Sequence, residues 1–305
     1  MKNLLIATTA LVATAGMAAA EINTTGGARF GVVYDENNTV GAQESKVHNR
    51  FTINIDATAE TDSGVEFFGR VRIRGGNEGN GNLIGGKALD DTGVSAPRVG
   101  ARIGSLTIAV GNINGAIEDL AGVYSGSIGL TGLSYSNVVN NNASSGSFDF
   151  DAFSSGGAGS NGVEVIYSGN GFNAHLSDSS STDRTALGLS YAFGDWTVAL
   201  GVQESGTLGE DFTSIGVDGS IGTVTVGAAY ADNEGDFDTF RINAGFEIGA
   251  ATNVTVYVAD NSGVGRETAY GVGFTHSLGG ATLAGGIEND RTGLTRADFG
   301  VRFKF

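Results

Sequence analysis

Arg70, Arg72 and Arg74 occupy every second position of one run, and Arg50, Arg98 and Arg102 lie in similar runs nearby. Residues two apart in an extended chain share a face, so this spacing builds a wall of guanidinium groups. Guanidinium stays charged at any ordinary pH and presents a planar fork of donors. The chemistry on offer is a fixed positive field. Arg29 and Arg302 belong to the same sector if the last strand pairs with the first, because nine of the 17 Lys and Arg lie between Arg29 and Arg102 and four more between Arg291 and Lys304. Like charges crowded on one wall need water and a negative surface to compensate them. The segment at about 113–161 offers that surface: Glu118 and Asp119 follow a turn near its start, and Asp149 and Asp151 flank Phe150 near its end.

Other chemistries find little support. His48, His175 and His276 sit in separate runs without paired ligand spacing, and the chain has no cysteine, so the common thiolate sites are absent. No nucleophile elbow and no phosphate-cradling loop occurs, and abundant glycine makes partial matches uninformative. One acidic run remains: Asp232, Glu234, Asp236 and Asp238 project to one side of an extended chain and could hold Ca²⁺. The run lacks the glycine and closing glutamate of an EF-hand loop, so a solvated acidic loop facing lipopolysaccharide, bridged by divalent cations, is the competing reading.

The elements that position these residues follow from strict alternation. Phe299, Val301, Phe303 and Phe305 point one way while Asp298, Gly300, Arg302 and Lys304 point the other; Val47, Phe51, Ile53 and Ile55 likewise oppose His48, Arg50, Thr52 and Asn54. The alternation predicts sixteen strands, near 22–34, 46–60, 65–74, 97–103, 106–112, 162–169, 171–178, 184–193, 195–204, 212–221, 223–232, 237–248, 252–260, 267–278, 280–289 and 295–305. Short turns such as Asp62-Ser63-Gly64, Gly104-Ser105 and Gly279-Gly280 alternate with longer polar loops. Short turns on one rim and long loops on the other are how a transmembrane antiparallel β-barrel is built. Trp196, Tyr191, Phe193, Tyr230, Tyr257 and Tyr270 fall near strand ends and suit interfacial aromatic girdles or a subunit contact. A soluble β-sandwich also alternates, but sixteen hairpin-linked strands would make a large one.

Composition narrows the class. With 51 glycines, 1 proline and 16% charged residues, the chain departs from the usual ~7% Gly and ~25% charged of soluble domains. Collagen is excluded by the missing three-residue period, and disorder by 40% hydrophobic residues in regular alternation. A net charge of −16 excludes a nucleic-acid binder. Lys2, the apolar run from Leu4 to Ala15 and Ala18-Ala19-Ala20 make residues 1–20 a removable signal peptide, leaving 21–305 as one barrel. No later segment reaches the ~18 apolar residues of a membrane helix.

The loop at 113–161 is too long for a simple turn, and its apolar residues (Ile117, Leu120, Val123, Tyr124, Ile128, Leu130, Leu133) argue that it packs somewhere. Inside the barrel it would narrow the lumen and set acids opposite arginines; as a surface flap it would not.

The run Thr25-Gly26-Gly27-Ala28-Arg29-Phe30-Gly31-Val32-Val33-Tyr34, the segment from Glu60 to Phe67 (ETDSGVEF) and the ending Ala297-Asp298-Phe299-Gly300-Val301-Arg302-Phe303-Lys304-Phe305 resemble the general porins of Gram-negative bacteria, most of all the alphaproteobacterial type. The resemblance spans the mature chain. It implies a homotrimer of sixteen-stranded barrels in the outer membrane, each passing small hydrophilic solutes by diffusion, with the third loop folded inward. It assigns the wall of the eyelet to Arg50, Arg70, Arg72, Arg98 and Arg102, with Arg29, Arg74 and Arg302 as further lumen cations, and the loop side to Glu118 and Asp119, then Asp149 and Asp151. It assigns the terminal Phe305 to the signal read by the outer-membrane assembly machinery. Residues 121–148 are richer in Gly, Ser and Asn than in acids, a departure that leaves the lining and ion preference open. A substrate-selective channel, a plugged structural or adhesive barrel, and a soluble secreted β-protein stand as alternatives.

Overall fold

The protein is described by a computed structural model covering residues 20–36, 43–77, 93–133, 150–206, 211–233 and 237–305. Its described strands are β1 (Glu21–Asp35), β2 (Ser45–Glu60), β3 (Glu66–Asn77), β4 (Gly93–Val94), β5 (Arg98–Ile103), β6 (Leu106–Asn112), β7 (Asn161–Gly169), β8 (Phe172–Ser179), β9 (Arg184–Phe193), β10 (Trp196–Ser205), β11 (Phe212–Ile221), β12 (Val224–Asn233), β13 (Phe237–Ile248), β14 (Thr252–Asn261), β15 (Ala269–Ser277), β16 (Thr282–Asn289) and β17 (Thr295–Lys304). Each strand pairs antiparallel with its neighbours in sequence, except that β4 and β5 both pair with β3, and β1 also pairs with β17, from Gly27↔Lys304 to Asp35↔Arg296. The sheet therefore closes and leaves no edge.

Both β4 and β5 pair with β3, so they are two pieces of one stave and the barrel has sixteen. The break falls at Pro97, the chain's only proline, which has no N–H to give a ladder. Around it the ladder is replaced by other bonds. The Ser95 N–H donates to the Arg72 carbonyl at 2.8 Å, the Ala96 N–H to the Gly157 carbonyl at 2.7 Å, and the Asn112 N–H to the Pro97 carbonyl at 3.0 Å.

The alternation sorts the two faces as the sequence implied. Phe30, Val32, Val47, Phe51, Ile108, Val110, Leu200, Ile215, Ile242 and Phe299 are exposed on the outside. In water such a surface would be unstable; it is the apolar band of a barrel whose solvent is lipid. Tyr191, Phe193, Tyr230 and Tyr270 share this outer face and are exposed. Tyr257 does not: it lies on the inward parity of β14 between the outward Val256 and Val258, is buried, and its hydroxyl donates to Glu288 Oε2 at 2.5 Å. It is a lumen residue and no part of a girdle, because a buried phenol needs an acceptor that lipid cannot supply.

What core the molecule has lies inside the barrel, where the β6–β7 loop packs on the staves. Ile117, Leu120, Val123 and Phe150 of that loop cluster with Ala186, Ala199, Phe212, Ala229 and Ala231 of the wall. Ile128 and Leu133 form a second cluster with Tyr257, Ala259 and Ala269.

Candidate functional site

The last turn before the β6–β7 loop is set up at Gly111, the next-to-last residue of β6, whose φ of +98° only glycine adopts readily and where a Cβ would lie 2.3 Å from the Pro97 carbonyl. That turn sends residues 113–133 into the lumen as a strap running around the wall from β8 to β1. The staves beneath it carry small residues at inward positions. A Cβ at Gly188 would come within 2.4 Å of the Ala116 carbonyl, at Gly216 within 2.1 Å of the Ala121 carbonyl, and at Gly273 within 2.6 Å of Ile128. Glycine here makes room for a second layer of backbone.

A strap inside the wall must satisfy its own backbone groups. At its start the Ala116 N–H donates to Ser177 Oγ at 3.0 Å. Midway, Asp218 accepts from the Gly122 N–H at 2.9 Å and Ser125 Oγ at 2.5 Å, while the buried Arg241 donates to the carbonyls of Gly122 and Val123. At the far end Asp298 of β17 accepts from the Leu130 N–H at 2.8 Å, the Thr131 N–H at 2.7 Å and Thr131 Oγ1 at 2.6 Å. Arg29 of β1 reaches the Leu130 and Thr131 carbonyls at 3.4 and 3.5 Å. The strap is thus latched on both sides of the seam where the barrel closes.

The arginines divide by environment. Of the arginines expected to line the eyelet, Arg70 pairs with the wall carboxylate of Asp56 at 2.6 Å, Arg98 with that of Glu164, and Arg102 with that of Glu66; Arg296 of β17 likewise meets Glu288 at 3.4 Å. Glu164, fully buried, also meets His175 Nε2 at 2.9 Å, and Arg98 and Arg102 flank the Phe68 ring with centroid distances of 5.2 and 4.1 Å. A second set, Arg29, Arg50, Arg72, Arg74 and Arg302 with Lys304, lines a cavity of about 610 Å³ between Leu130 of the strap and the short turn at Gly279-Gly280. Arg72 donates to Asn54 Oδ1 at 2.8 Å and to Ser155 Oγ at 3.2 Å on the loop's return arm, Arg74 donates to Thr52, and Arg29 donates to His48 Nε2 at 2.8 Å.

The loop acids also separate. Glu118 is half-buried on the strap and accepts from the Phe153 N–H at 3.0 Å, while the Phe153 ring lies 4.7 Å under the Arg72 guanidinium. Burial pushes the Glu118 carboxyl up to about 7; Asp119 adds to the rise, while the Phe153 N–H and Arg72 pull against it. Asp119 is exposed, 3.4 Å from Asn114 Nδ2. Asp151 is set elsewhere, buried against Arg184 at 3.5 Å and accepting from Thr182 Oγ1 at 2.7 Å, so it braces the return arm against β9. Asp149 lies outside the described residues, as do Glu234 and Asp236. Asp232 and Asp238 are direct partners across β12 and β13, exposed on the outer face. Phe305 lies on the outer face, stacked on Phe51 at 5.3 Å, with its backbone paired to Gly26.

Asp218 and Arg241 belong to no motif, and Asp298 stands out only as a member of the C-terminal alternating run with no role assigned to it, although each stands at an inward position of such a run. The small inward residues were the legible signal: Gly271 and Gly273, or Ala199 and Gly201, leave a wall facing water with nothing polar to offer it.

The comparisons agree with this geometry. A sequence profile described as Gram-negative porin matches residues 7–293. The porin of Fuscovulum blasticum is 30% identical, over 93% of this chain and 100% of the relative. Two solved variants of the Rhodopseudomonas blastica porin superpose with TM-scores of 0.80 and 0.81 at 28% and 27% identity, each over 93% of this chain and 100% of the other.

Proposed function

Because the chain belongs to the Gram-negative porin family, a family of outer-membrane channels and not of enzymes, we propose that it passes ions and small hydrophilic solutes by passive diffusion and filters them at the gap between strap and arginine staves. One observation supports this reading above all: residues 113–133 are packed inside a closed barrel, with Glu118 and Asp119 on the strap and Arg29, Arg50, Arg72 and Arg74 on the staves beside the remaining space. No bond needs to be made or broken there. A hydrated path with fixed charges of both signs selects by size and charge, and a dipolar solute gains by aligning between them. The family resemblance supports a homotrimer embedded in outer-membrane lipid and lipopolysaccharide.

Single-channel conductance of detergent-purified protein in a planar bilayer tests the reading, with the double variant Glu118→Gln/Asp119→Asn beside the wild type. Large stepwise openings, in threes for a trimer, are expected, with selectivity moved toward anions in the variant. Absence of conductance from folded, inserted protein would leave a plugged or adhesive barrel. Unchanged selectivity would move the filter away from the strap.

A further inference from the structure

We infer that Asn112, at the end of β6, is a positioning residue of the filter: its side chain clamps the loop's return arm so that Phe153 and Ser155 hold Glu118 and Arg72 apart. The inference rests on the channel reading and names the part of the molecule that keeps these two charges from neutralising each other.

The clamp is built for an amide. Asn112 is fully buried; its Nδ2 donates to the Ser154 carbonyl at 2.9 Å and to the Ala96 carbonyl at 3.3 Å, and its Oδ1 accepts from the Ser154 N–H at 3.1 Å. The side chain thus satisfies both backbone groups of Ser154, as a neighbouring strand would. Asparagine carries a donor and an acceptor side by side, whereas ionised aspartate only accepts and leucine does neither. The contact also requires Gly159, where a Cβ would collide with Asn112 Oδ1.

The arm is seated at the break in the stave. Beside Pro97 the Ala96 N–H donates to the Gly157 carbonyl at 2.7 Å, and Ser95 forms a parallel bridge with Gly157. Ala96 therefore gives its carbonyl to the clamp and its N–H to the arm, two groups that an unbroken ladder would consume.

The residues on either side of the clamped Ser154 reach the two charges. The Phe153 N–H donates to Glu118 Oε2 at 3.0 Å, the Phe153 ring lies 4.7 Å from the Arg72 guanidinium, and Ser155 Oγ accepts from Arg72 at 3.2 Å. Opposite charges that attract across a lumen close into an ion pair unless something stands between them, and a closed pair would offer a solute neither charge. The arm is that spacer. It also shields Glu118 from water; burial, with Asp119 and Glu164 adding to it, raises the carboxyl to about 7 against the pull of the Phe153 N–H and Arg72.

Reversal potentials across a potassium chloride gradient, read from about pH 5 to 9 on the whole reconstituted protein, test the role in wild type, Asn112→Ala and Gly159→Ala. The two variants undo one clamp from opposite sides and leave Glu118, Phe153 and Arg72 in place. The ladders of β6 with β5 and β7 are backbone bonds, so Asn112→Ala leaves the staves paired. Wild-type selectivity should change with a midpoint near 7. Each variant should lower that midpoint by about one pH unit or more, because a released arm lets water reach Glu118 and lets Arg72 close on it. Cation preference above the midpoint should fall too, and in a Glu118→Gln background Asn112→Ala should change it no further. Unchanged midpoints in folded, conducting variants overturn the positioning role and leave the channel reading intact. An equal loss of cation preference with and without Glu118 overturns action through that residue. A wild type without any potassium chloride conductance overturns the channel reading itself.

Discussion

Glu118 shows how environment redefines a residue. The same carboxylate in water would be ionised throughout the physiological range, yet on the strap its group titrates near neutrality, chiefly because burial disfavours its charge. Below about pH 7 it is neutral and the filter is left to Asp119 and the arginines; above it the strap gains a negative charge. Cation preference should therefore rise as pH increases from about 6 to 8, the interval in which a group with this pKa titrates. In Glu118→Gln the rise should vanish, as reversal potentials across a potassium chloride gradient would show. Because the folded value lies above the ordinary one of 4.5, the strap's seat is most stable below that ordinary value and loses part of its stability as pH climbs through about 7. A flat pH profile in the wild type would remove Glu118 from the filter.

At the scale of elements, the strap and its latch decide the width of the channel. Asp298 takes three hydrogen bonds from Leu130 and Thr131, and bonds to a charged acceptor contribute roughly 1.5–3 kcal/mol each. Asp298→Ala should free the strap's far end while leaving the staves paired, because the β16–β17 and β1–β17 ladders are backbone bonds. Noisier open-channel current and faster uptake of larger sugars in liposome swelling are the expected readouts. Quiet current with unchanged uptake would show that the strap's other ties, at Ser177, Asp218, Arg241 and Arg29, hold it without Asp298.

The whole molecule reverses the usual arrangement of a soluble protein, with apolar side chains outside and charges within. An outward position such as Ile215 is 59% exposed and opposes Leu200 and Tyr230. Ile215→Arg should destabilise the protein in the bilayer, by an amount below the roughly 2–4 kcal/mol that a basic residue on the lipid face costs at the midplane. The lumen residue Ser214, one position away, should accept polar exchange far better. The shift in temperature at which the folded band is lost on a mild detergent gel would compare the two; equal shifts would mean that the faces are wrongly assigned.

The period-two alternation determined the staves and their faces, because a pleated strand allows no other way to keep apolar groups in lipid and charges in water. The same parity placed Arg29, Arg50, Arg70, Arg72, Arg74, Arg98, Arg102 and Arg302 on one side of the wall. It also held the error over Tyr257, whose position near a strand end read as a girdle although its parity was inward. Only the tertiary structure decided which arginines are answered by carboxylates, since Arg98 and Glu164 meet from staves 66 residues apart. It alone decided the path of the strap, whose far end is tied to Asp298 across 168 residues. Local pattern records which face a side chain takes; closure of the barrel brings distant staves together, and that closure selects the partners.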